Sequence, residues 1–150
     1  MILHEQKGNI LLSKQITRGV CRLLADMGFR VIREFRLGSG RRVDVAGLNA
    51  SGKFAVVEVK SSVADFRSDN KWQDYLAYCD LFYFAVTADF PKDILPAEFG
   101  LIITDNFNAI IHQDSPALSM NAQRRRAQTL RFARTAANRL ERLHDPSHSG

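Results

Sequence analysis

The chain has 150 residues, 45% hydrophobic and 25% charged, which suits one soluble globular domain with a sizeable core. No apolar run approaches the roughly 18 residues of a membrane span, and MILHEQKGN lacks the basic and apolar regions of an export signal. A cytoplasmic protein with no membrane partner is therefore expected. The net charge of +5 is unevenly placed: residues 1–114 carry 14 Lys/Arg against 14 Asp/Glu, and the seven arginines that follow face only Glu141 and Asp145. Such an excess points to an anionic partner, nucleic acid first, with a solvated helix face as the plain alternative.

In chain order, SKQITRGVCRLLADMGF places Ile16, Val20, Leu23, Leu24 and Met27 at helical spacing, with Gly28 as a stop. RVIREFRL predicts a strand, and GSG at 38–40 a turn. RRVDVAGL and KFAVVEVK predict two more strands joined by NASG. VADFRSDN is a polar stretch, after which KWQDYLAYCD predicts a helix with Ser68 or Asp69 as its cap. LFYFAVT is a buried strand; FGLIITD and NAIIHQ follow as a hairpin around DNF. PALSMNAQRRRAQTLRFARTAANRLERL predicts a long basic C-terminal helix. The whole is one α/β domain over residues 1–145, a mixed central sheet flanked by helices, with a disordered tail at 146–150. Cys21 and Cys79 are too few and too far apart for a metal site and are expected to be buried free thiols.

The charged residues inside the apolar hairpin strands need an explanation. Pairing Asn49 with Lys53 around NASG, with Gly52 in the left-handed position, sets Leu48 opposite Phe54, Ala46 opposite Val56 and Asp44 opposite Glu58. Directly opposed carboxylates about 5 Å apart repel by about 3 kcal/mol at an effective dielectric near 20. Either positive charge offsets this or one acid stays protonated. Lys60, on the same face as Glu58, supplies part of the charge. A divalent cation such as magnesium would supply more, with the Val59 carbonyl as a further ligand. A buried Asp44–Lys60–Glu58 ion cluster without chemistry is the competing reading.

VDV, followed fourteen residues after its aspartate by VEVK, resembles the PD-(D/E)xK nuclease superfamily. The predicted order over residues 14–87 matches that superfamily's restriction-endonuclease-like core. RRVDVAGL, FAVVEVKSSVADFRSDNKWQDY and CDLFYFAV together look like the MmcB-like DNA repair family, a branch of it, over roughly residues 10–145. The resemblance implies a role in DNA repair and an endonuclease dependent on Mg2+ or Mn2+. Asp44 and Glu58 would bind the metal, and Lys60 would help activate water. Val43 stands where a proline often precedes the aspartate. A noncatalytic DNA-binding or adaptor protein that retains the fold is the alternative.

Glu34 is a candidate for an additional site carboxylate, against a surface pair with Arg33 or Arg36. Asp65 and Asp69 are read as capping or turn residues. Gln73 lacks the tyrosine that follows the site glutamine of some relatives, Ala77 standing there instead. Trp72 and Tyr75 are both able to stack on unpaired bases, with helical core packing the favoured role for Trp72. Arg41, Arg42, Arg124, Arg125, Arg126, Arg131 and Arg134 are candidate phosphate contacts without base readout. DNA is the expected partner, other repair proteins and a homodimer being left open.

Overall fold

The computed structural model describes residues 2–106 and 108–147. Helix α1 (Ile2–Asp26) buries the expected stripe at Ile16, Val20 and Leu24 and ends at Gly28, whose φ is +93°. It begins eleven residues before the predicted Ser13, because no proline interrupts that stretch, the single Gly8 is tolerated and exposed turns need no apolar stripe. Met27 stays partly exposed.

The sheet has six strands in sequential order: β1 (Phe29–Arg36), β2 (Arg42–Asn49), β3 (Phe54–Val59), β4 (Leu81–Thr87), β5 (Gly100–Asp105) and β6 (Asn108–Gln113). The first three form an antiparallel meander, β3–β4 and β4–β5 pair in parallel, and β5–β6 close as an antiparallel hairpin. The DNF turn of that hairpin includes Phe107, which lies outside the described residues, as do residues 148–150 of the tail.

The connection from β3 to β4 differs from expectation. The polar stretch VADFRSDN contains a short helix, α2 (Val63–Arg67), capped by Ser62, whose hydroxyl accepts from the Asp65 amide at 3.0 Å. KWQDYLAYCD then forms a 3-10 helix over Trp72–Tyr78 rather than an α-helix. Its aromatic residues set the path: Trp72 stacks on Phe82 at 5.9 Å and meets Phe84 edge-on at 5.3 Å.

The C-terminal helix α3 (Ala122–His144) starts six residues later than predicted. Asn121 caps it by accepting from the amides of Gln123 and Arg124. The residues before it lie outside any helix or strand and dock at the start of β4: Ser115 Oγ accepts from the Phe82 amide at 2.9 Å, and the Leu118 amide donates to the carbonyl of Asp80, just before β4, at 2.7 Å.

Two apolar layers cover the sheet. On one face α1 packs on Val45, Ala55, Val57, Tyr83 and Ile102. On the other, the 3-10 helix and Phe132 of α3 pack on Phe35, Phe54, Val56, Phe82 and Phe84. The mixed central sheet flanked by helices, with a long basic C-terminal helix, is the expected α/β architecture. Among the described residues no helix is long and apolar enough to cross a membrane. Cys21 and Cys79 are free and buried, and burial raises both thiol pKa values.

Candidate functional site

The β2–β3 register is the expected one: Leu48 pairs with Phe54, Ala46 with Val56, and the Asn49 amide donates to the Lys53 carbonyl at 3.0 Å. Gly52 takes the left-handed position. The ladder stops at Val45–Val57, one step before the two acids. There the side chains replace it. The Asp44 amide donates to Glu58 Oε1 at 3.0 Å, and the Val59 amide donates to Asp44 Oδ2 at 2.8 Å. Each carboxylate thus uses one oxygen to brace the neighbouring strand.

A break in β1 releases Asp44 from its other neighbour. The β1–β2 pairing runs through Arg33–Val45 and resumes at Phe35–Val43, skipping Glu34 and Asp44. Val45 and Val43 consequently bury in opposite layers, and Val31 and Phe35 do the same. Strict alternation would have kept each pair on one face.

Burial raises the Asp44 pKa above the usual carboxylate range, against the Val59 amide and Lys60. Glu58, only 5% exposed, is pushed up to about 9 by burial first and by the Asp44 charge second. Lys60 is equally buried, and its Nζ lies 2.6 Å from Asp69 Oδ2 and 4.0 Å from Asp65. Lys60, expected beside Asp44 and Glu58 alone, has Asp69 as its direct partner instead. A lysine buried at a strand end requires a nearby anion, and that was the available signal. Asp69 also accepts from the Lys71 amide at 2.7 Å, the turn role expected of it. Burial works against its charge, but Lys60 and these amides hold its pKa below the ordinary value. Asp65 accepts from the Ser61 amide at 3.2 Å, which again fits a turn.

Asp44, Glu58, Lys60 and Asp65 line a groove of about 1020 Å³ between α1 and the start of α2. Gln6, Asn9, Ser13, Lys14 and Thr17 of α1 form one wall; Glu34, Asp44, Glu58, Val59 and Lys60 lie opposite. Among the described residues no group of three or more His, Cys, Asp or Glu side chains converges as a metal cage. The hard donors available are the Asp44 and Glu58 carboxylates and the Val59 carbonyl. That set fits magnesium, which commonly binds one or two carboxylates and keeps several waters. Glu34 lines the same groove without completing a three-carboxylate cage.

The arginines are distributed differently from their sequence grouping. Arg125 forms a two-pronged pair with Asp80, at 2.6 and 2.8 Å, and donates to the Gly52 carbonyl at 2.7 Å. Arg124 lies over the Tyr78 ring at 4.6 Å and donates to the Ala77 carbonyl. Arg41 pairs with Asp74 at 3.0 Å. Arg42 is exposed, its carbonyl accepting from the Tyr75 hydroxyl. Arg126, Arg131 and Arg134 are exposed with no ion pair among the described residues. Gly52 and Asp80 lie beyond the start of β3, whereas Glu58 and Lys60 are at its end. Six strand residues, roughly 20 Å, separate the Arg125 pin from the carboxylates. Trp72 is packed in the core, as expected, and Gln73 is not among the residues lining the groove.

An α/β fold whose antiparallel meander carries an aspartate and a Glu-x-Lys at one sheet end defines the class. A family model described as "DNA repair protein MmcB-like" matches residues 6–147, and the chain belongs to this MmcB-like family. A Silicibacter pomeroyi protein of unknown function has a similar structure, with a TM-score of 0.87 and 43% identity over 93% of this chain and 95% of that one. A repair endonuclease from Pyrococcus abyssi aligns with a TM-score of 0.30 and 20% identity over 57% of this chain and 35% of that one, a likeness too loose to carry weight. Among curated proteins none matches.

Proposed function

We propose that this protein is a divalent-metal-dependent DNA endonuclease acting in repair. The observation that carries the reading is the pair of cross-braced carboxylates, Asp44 and Glu58, opening on a groove beside the buried ammonium of Lys60. Magnesium or manganese, held by Asp44, Glu58 and the Val59 carbonyl, would acidify water and polarise the scissile phosphate. The chain supplies the rest. Asp44 and Glu58 are fixed by the strand amides they accept from, so little reorganisation accompanies binding. Lys60, held by Asp69, places a positive charge where negative charge develops on the attacking water. Exposed Arg126, Arg131 and Arg134, which do not line the groove, provide sequence-independent phosphate contacts.

The test uses purified protein with plain, gapped and branched DNA, in Mg2+, Mn2+ or EDTA. Cutting requires the metal and is lost in Asp44→Asn and in Lys60→Ala, while DNA binding persists. Cutting that survives both substitutions rules the site out. A protein that binds DNA but never cuts in either metal is instead a noncatalytic member of the fold.

A further inference from the structure

Glu34 adopts φ +51°, a left-handed conformation that costs a residue with a side chain about 1–3 kcal/mol. Among the described residues Asn106 is the other non-glycine with positive φ, and it occupies a hairpin turn, where asparagine adopts this conformation readily. Glu34 lies inside β1, where no turn requires it. An asparagine would hold this backbone more easily but would bring no charge to the groove.

Arg139, near the end of α3, grips this step. Its Nη2 donates to the Glu34 carbonyl at 2.8 Å, and its Nη1 donates to the Arg33 carbonyl. One planar guanidinium thus spans two successive carbonyls of β1, a geometry a flexible ammonium does not reproduce. The gripped step is the one at which β1–β2 pairing skips Glu34 and Asp44, and Glu34 lines the groove with Asp44 and Glu58.

We propose that Arg139 is a positioning residue: it fixes the left-handed step that turns the Glu34 carboxylate toward the groove, where Glu34 accepts hydrogen bonds from the hydration shell of the cation held by Asp44 and Glu58. The outer position follows from the lack of a three-carboxylate cage and from the waters magnesium retains. This inference rests on the metal-dependent reading above. It links α3 to the site through the backbone of β1, with no contact between Arg139 and the carboxylates.

The test is Mn2+ binding by calorimetry, with thermal melting in parallel, on the full chain. Arg139→Ala and Glu34→Gln each weaken Mn2+ binding by about 10-fold, the usual scale for lost outer-shell partners. The double variant binds no more weakly than the weaker single one, because both remove the same contact. Glu34→Asn keeps the backbone and loses the charge; it melts at or above the wild-type temperature yet shows the same loss in Mn2+ affinity, which keeps the test sound if Arg139→Ala fails to fold. Arg139→Ala with a lowered melting temperature and unchanged Mn2+ affinity makes Arg139 a brace only and overturns the proposal. Additive losses in the double variant overturn it as well. A wild-type protein that takes no Mn2+ overturns this proposal and the nuclease reading together.

Discussion

The two ends of β3 both carry buried acids, and the fold treats them in opposite ways. Before its start, Asp80 accepts from the Phe54 amide at 2.8 Å and from two nitrogens of Arg125. Burial opposes its charge, yet these partners hold its pKa below the ordinary value. At its end, Asp44 and Glu58 face each other with one strand amide apiece, and burial raises both. Lys60 is close, but Asp69 has it. One end is a finished ion pair and the other an electrostatic deficit that opens on a groove. A buried carboxylate marks function where its charge is left for something outside the chain to balance.

Unpairing the finished end gives the largest effect. Arg125→Ala leaves Asp80 buried without its cation and lowers unfolding free energy by about 3 kcal/mol in a urea titration. The lowered Asp80 pKa makes its contribution present above the ordinary aspartate range and lost as pH falls through the folded value. The variant therefore loses most relative to wild type near neutral pH and least in acid.

The other end responds in the opposite sense. Glu58 binds a proton in the fold up to about pH 9 but releases it near 4.5 when unfolded. The unfolded state binds fewer protons between these values, so this group makes metal-free stability fall as pH rises across that window. Glu58→Gln removes that slope and raises the melting temperature at pH 8 by about 2–4 °C, equivalent to about 1 kcal/mol in a chain of this size. A variant less stable than wild type at pH 8 means that the Glu58 charge is already balanced from within.

The smallest stability effect belongs to the exposed arginines of α3. Arg126→Ala with Arg131→Ala changes stability by less than about 0.5 kcal/mol. It flattens the salt dependence of DNA binding by about 0.9 in slope for each phosphate contact removed. An unchanged slope makes that helix face a structural or partner surface.

Much of this contrast was legible in the sequence. The hairpin register followed from NASG and the alternation of VDVAGL with FAVVEV, and it brought Asp44 to Glu58 as observed. What pattern reading could not supply was long-range pairing of charges. RRR at 124–126 looks uniform, but Arg125 is pinned by an aspartate 45 residues away and Arg124 lies on Tyr78, while Arg126 is exposed. Asp69 was read as a turn residue because its bond to the Lys71 amide is local, whereas its pair with Lys60 depends on how α2 folds back. The left-handed step at Glu34 breaks strand alternation inside an ordinary-looking strand and left no mark in the sequence.

Crystals grown with MnCl2 and measured for anomalous scattering test the central claim most directly. A manganese peak between the Asp44 and Glu58 carboxylates, lost in Asp44→Asn crystals, is the expected result. A fully loaded lattice with no peak there, or with Lys60 swung off Asp69 onto the two acids, would show that the protein settles their charge by itself and that this end of the sheet awaits no cation.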